Sequence, residues 1–108
     1  MKALSVKQPW ANLIAADHKR IEVRSHRTNY RGRILIVSSK VPKIEPTGHA
    51  LCIASLIDCR PFVKFDEKAA CCKYVAGFYS WVLDDIKKIT PFAVKGQLGI
   101  YNVDYEEE

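Results

Sequence analysis

The sequence predicts an α+β fold that is mainly β: a small, partly open barrel or strongly curved sheet of about five or six short strands, with two flanking helices. Two observations carry that prediction. Short apolar and β-branched runs follow one another between turn-forming residues, and only two stretches have helical spacing. The length of 108 residues sets the scale: residues 1–108 make one domain, large enough for a core and too small for two.

Residues 2–6 alternate weakly and read as a first strand. Pro9 suits the first turn of a helix, where its missing N–H costs nothing. Trp10, Leu13 and Ile14 then fall on one helical stripe, flanked by Ala11, Ala15 and Ala16, so Trp10 reads as core. That helix ends near Asp17 or His18. Residues 21–24 are a short extended segment, residues 25–31 a polar loop, and Gly32 permits the bend out of it. The run 33–37, Arg-Ile-Leu-Ile-Val, is the strongest strand signal, and its continuity implies burial on both faces. Pro42, Pro46 and Gly48 mark 38–48 as a loop.

Residues 49–57 form a second long strand, ended by 58–61. Asp66 as N-cap and Glu67 in the first turn open the second helix, which runs to about Ala76 and stops at Gly77. Residues 79–83 alternate, with Tyr79, Trp81 and Leu83 on one face. Residues 84–90 are polar and ambiguous, 91–96 are a loop or edge segment, and 98–103 close the fold as a final strand.

The net charge of +5 is unevenly distributed. Residues 1–43 hold ten Lys or Arg against two Asp or Glu, whereas residues 44–108 hold seven against ten. Such polarity suggests a basic face that would attract a phosphate backbone, with a solvated surface and an acidic tail as the alternative that charge alone leaves open. No apolar run reaches the ~20 residues that cross a bilayer. The lysines at 2 and 7 also make the N-terminus read as the start of the fold, so a cytoplasmic residence without membrane contact is expected. Cys52, Cys59, Cys71 and Cys72 form no C-x-x-C pair, and His18, His26 and His49 complete no ligand set. Reduced, partly buried thiols are expected, with no metal and no cofactor.

The stretch 18–33 organises the rest. In an extended 21–24 segment, Ile21 and Val23 face inward while Glu22 and Arg24 share the other face, with Lys19 just upstream. A cation and an anion are thereby set side by side on the floor of a ligand cleft. Lys7 and Gln8 lie on the turn into the first helix, beside its amino end, where an anion is favoured.

These residues resemble the ASCH domain, a branch of the PUA-like barrel proteins. Lys19, Glu22 and Arg24 match its signature G-x-K-x-x-E-x-R, and Asp17 stands at the glycine position. Ser5-Val-Lys-Gln-Pro-Trp, Arg24-Ser-His-Arg-Thr-Asn-Tyr-Arg-Gly-Arg, Tyr79-Ser-Trp-Val-Leu and Val94-Lys-Gly-Gln-Leu-Gly carry the resemblance over most of the chain, toward a small stand-alone subgroup. The resemblance implies a PUA-like β-barrel with flanking helices, a cleft lined by the signature residues, and RNA or a nucleotide-like ligand. Some members are amidohydrolases acting on acetylated cytidine, and others are associated with RNA cleavage. The amidohydrolases have threonine where this chain has Glu22, and a carboxylate cannot play a hydroxyl nucleophile's part. That activity is therefore not carried over.

The expected ligand-binding set is Lys7, Gln8, Lys19, Glu22, Arg24, Ser25, Arg27, Trp81 and Lys95. Lys7, Lys19, Arg24 and Arg27 would meet phosphate, Glu22 would orient the cations, and Trp81 would offer a stacking wall. Gln8 and Lys95 belong to loop mouths. Ser25 has a hydroxyl beside the signature trio but no histidine–carboxylate partner set. The expected function is binding of single-stranded RNA or a modified nucleotide. The alternative is a metal-independent hydrolase of RNA or of a modified nucleoside amide in the same cleft, with Lys19 as base or charge stabiliser and Glu22 beside it.

Overall fold

The computed structural model describes residues 1–108. In chain order the elements are β1 (Lys2–Val6), α1 (Trp10–Ala15), β2 (Ile21–Arg24), β3 (Gly32–Ser38), β4 (His49–Pro61), a 3-10 turn (Lys64–Asp66) running into α2 (Glu67–Ala70), β5 (Tyr79–Ala93) and β6 (Ile100–Asn102). The six strands make one sheet in the order β2-β5-β4-β3-β1-β6. Only β1 and β3 run parallel; every other neighbouring pair is antiparallel. The sheet curls into a half-barrel with the two short helices against it, the α+β fold that the sequence predicts.

Strand alternation explains why both faces are filled. Leu4, Val6, Ile34 and Ile36 join Ala11 and Ile14 of α1 in one cluster with Leu56, Trp81 and Leu83. Their neighbours Ala3, Leu35 and Val37 point the other way, onto Ala50, Ile53 and Tyr101. Each large apolar side chain sealed in this way contributes roughly 1.5–3 kcal/mol. Register shifts at three places along the β4–β5 pair, between Ala50 and Cys52, Ile53 and Ser55, and Leu56 and Asp58, let that long ribbon bend.

Several boundaries differ from those read in the sequence. α2 stops at Ala70, well short of Ala76, because Cys71 takes a left-handed conformation (φ 56°) and ends the helix. Asp66 makes no capping hydrogen bond. Its carboxylate is buried and accepts from Ser80 Oγ at 3.0 Å and Arg60 Nη2 at 2.8 Å. β5 runs unbroken through the polar stretch, since residues such as Lys87 and Lys88 pair along β4 opposite Ile53 and Cys52. β4 likewise continues past Ile57 to Pro61.

The four cysteines are free thiols; Cys52 is sealed in the core and Cys71 lies exposed. Burial pushes the Cys52 thiol up to about 12. No helix is long and apolar enough to cross a membrane.

Candidate functional site

A cleft of about 940 Å³ opens beside β1 and β2. Four separate stretches wall it. The end of β1, the turn after it and the start of α1 give Ser5, Lys7, Gln8 and Trp10, and β2 with the residues after it gives Glu22, Val23, Arg24, Ser25 and His26. The end of β3 and the β3–β4 connection add Ser38, Ser39, Lys40 and Gly48, and the segment before β6 adds Lys95 to Gly99. Phe78 completes the wall. Side chains from the beginning, middle and end of the chain therefore meet in one hollow.

β2 sets the floor. Ile21 to Arg24 pair with Val82 to Tyr79 of β5, so the pleat turns Glu22 and Arg24 to one side, as the alternation predicts. Arg24 Nη1 lies 3.5 Å from Glu22 Oε2 and donates to the Ser5 carbonyl at 3.3 Å. The other carboxylate oxygen, Oε1, faces Lys19 Nζ at 3.8 Å and has no hydrogen-bond partner. Burial raises the Glu22 carboxyl above its ordinary value, while Lys19 and Arg24 pull it back. Burial likewise lowers the Lys19 ammonium, opposed mainly by Glu22.

Lys19 is not where the sequence reading put it. It is 0% exposed, donates its ammonium to the Ala70 carbonyl, and lies behind Glu22 rather than on the cleft wall. Direct contact with a ligand phosphate is closed to it in this arrangement; its charge acts through Glu22. The turn that buries it is set by Asp17, whose φ of 63° is left-handed. Glycine reaches that region without strain, and aspartate is among the few other residues that tolerate it. The departure from the signature glycine thus leaves the turn intact.

Gln8 lines the cleft, but its side chain is committed. Nε2 donates to Asn12 Oδ1 at 2.9 Å and to the Pro46 carbonyl at 3.0 Å, and Oε1 accepts the Asn12 N–H at 2.9 Å. It therefore occupies the amino end of α1 where an anion was expected, and it ties the β3–β4 connection down. Asn12 Nδ2 adds a bond to the Glu45 carbonyl at 3.2 Å. Trp81 also corrects the expectation. Only 1% exposed, it donates its indole N–H to the His26 carbonyl at 3.0 Å and cannot serve as a stacking wall. Arg27 stacks over Tyr79, 5.2 Å from the ring centroid, outside the cleft lining.

Lys7, Ser25 and Lys95 line the cleft as expected. Lys95 is carried by a segment whose Val94 N–H bonds to the Gly48 carbonyl at 2.9 Å. A side chain at Gly96 would place its first carbon 3.0 Å from Ser5 Oγ, so glycine there lets the segment lie against β1. The sequence reading missed Trp10, Lys40, His26 and Leu98 as lining residues. Trp10 stands at the first residue of a six-residue helix, a position at the mouth that a stripe pattern cannot distinguish from core. Nowhere do three His, Cys, Asp or Glu side chains gather as metal ligands would.

A curled six-stranded sheet with two short helices and a cleft at its edge defines a PUA-like domain. The chain belongs to the ASCH domain family, whose description matches residues 4–96. The crystal structure of ASCH from Zymomonas mobilis superposes with a TM-score of 0.72 at 13% identity, covering 94% of this chain and 86% of that one. A tyrosine-to-phenylalanine variant of that protein gives 0.74 at 13% identity over 94% and 88% of the two chains. A serine-to-alanine variant gives 0.68 at 14% over 94% and 87%. At such identity the likeness is one of fold. No curated protein sequence matches the chain.

Proposed function

We propose that the cleft binds RNA, as a single-stranded segment or a modified nucleotide. The observation that carries this reading is the charge of the lining. Lys7, Arg24, Lys40 and Lys95 face the hollow against one carboxylate, Glu22, which is already flanked by Arg24 and Lys19. The three cleft lysines form no ion pair within the protein, so their charge is available to phosphate. Membership of the ASCH family supports the same ligand class. Filter binding of a single-stranded RNA oligomer across a salt series tests it. Affinity should fall steeply, because each phosphate neutralised releases counterions and steepens the log–log slope by about 0.7 on a single strand. Binding that ignores salt, or no binding, would overturn the proposal.

Hydrolysis of RNA or of a modified nucleoside amide in this cleft is the second reading. One observation favours it: Lys19 is a buried amine whose pKa burial lowers, the usual way of preparing a lysine as a base. Its position behind Glu22 weighs against it, since a base must reach the proton it removes. Incubation of RNA and acetylated nucleosides with wild type and Lys19→Ala separates the two. Turnover that disappears in the variant supports hydrolysis, and turnover in neither leaves binding.

A further inference from the structure

The two tryptophans have opposite environments. Trp81 is sealed and its indole N–H is satisfied. Trp10 is 36% exposed and lines the cleft. α1 packs into the core through Ala11 and Ile14, which are fully buried, so its first residue is left at the mouth of the hollow. The buried Lys19 ammonium stands 5.9 Å from the Trp10 ring centroid. Lys7, Arg24 and Lys40 line the same cleft as Trp10.

An aromatic plane left in water forgoes burial, and a rim of cations repays an apolar ligand poorly. A flat ring that carries phosphate satisfies both at once. We propose that Trp10 is the stacking platform for one unpaired nucleobase, with its phosphates held by the cleft lysines and Arg24. This rests on the RNA-binding reading above and makes it specific: a base must be out of its duplex to lie on an indole face, so single strands are preferred over duplexes. Leu98, 98% exposed on the segment before β6 and also lining the cleft, adds a second apolar surface at the lip.

Three RNA probes test this: oligouridylate, an abasic ribose-phosphate oligomer of equal length, and a duplex. Stacking one base strengthens binding by roughly 5- to 150-fold, so wild type should bind oligouridylate tighter than the abasic oligomer by a factor in that range. The duplex should bind no better than the abasic oligomer. Trp10→Leu should bring oligouridylate down to the abasic level with its salt slope unchanged, and Trp10→Phe should keep most of the difference. Oligouridylate should quench indole fluorescence in wild type but not in Trp10→Leu. Salt-dependent binding of equal strength to oligouridylate and the abasic oligomer overturns the stacking site while leaving the phosphate reading standing. Absence of binding to all three overturns both. The wild-type comparison decides the matter even if Trp10→Leu does not fold.

Discussion

The Arg24 guanidinium carbon lies 5.4 Å from the centroid of the Trp81 ring. The buried indole thus serves the cleft from beneath, as the surface on which the cation rests. Glu22 and the Ser5 carbonyl fix the guanidinium from the side, which leaves its other donors for a ligand. A lysine cannot reproduce this, because an ammonium has no plane to stack and no fork of donors. On the RNA-binding proposal, Arg24→Lys should weaken binding of a single-stranded oligomer by about tenfold, because the ammonium is neither held in place nor able to offer two donors to one phosphate. Because the contact with Trp81 lies within the fold, the same substitution should also lower stability by about 1 kcal/mol. Equal affinity of the two proteins in a filter-binding titration would count against a positioned Arg24.

The buried carboxyl beside it predicts a pH dependence. Because burial raises Glu22 above 4.5, the folded state holds this proton more tightly than the unfolded chain. The resulting stabilisation is complete below the unfolded value and is lost as pH rises through the folded one. Glu22→Gln removes that titration. The stability of wild type minus that of Glu22→Gln should decrease with rising pH from about pH 4.5 upward, measured by urea unfolding at a series of pH values. A difference that grows with pH would mean that the carboxylate is stabilised by its cations more than it is penalised by burial.

Asp66 offers a test away from the cleft. Its carboxylate joins the 3-10 turn to β5 through Ser80 and to the end of β4 through Arg60. Asp66→Ala leaves the fully buried Ser80 hydroxyl without its acceptor. The expected loss is about 1–3 kcal/mol, the cost of an unsatisfied buried polar group. Denaturant unfolding measures it, and a loss below a few tenths would show that Ser80 finds another acceptor.

Thiol chemistry should separate the cysteines. Cys71 is exposed, whereas Cys52 is buried with its thiol pushed up to about 12. Since the thiolate is the reactive form, a maleimide or aromatic disulfide reagent at neutral pH should label Cys71 within minutes. Cys52 should remain unlabelled until denaturant is added. Mass mapping of the labelled peptides reads the order, and labelling of Cys52 in the native protein would contradict the burial.

Much of this architecture is legible in the sequence because period-two alternation is a local property. It places Glu22 and Arg24 on one face, and the unbroken run at 34–37 announces a strand buried on both sides. The long β5 is not legible, since Asp84, Asp85, Lys87 and Lys88 look like a loop until β4 pairs with them. Strand propensity reflects such neighbours more than the backbone itself. Lys40 was hidden for a similar reason. Its connection folds toward the cleft under bonds from Gln8 and Asn12, residues more than thirty positions away. The tryptophans were read in reverse because periodicity gives the direction of a side chain and not the depth of the layer it enters.

The segment at 95–99 closes one side of the cleft by lying against Ser5. The basic stretch of the first half therefore precedes, in chain order, the segment that closes the cleft. β6, which follows that segment, pairs antiparallel with β1. A ligand that spans those walls would fasten the two ends of the polypeptide together, so occupancy and resistance to fraying should rise as one quantity.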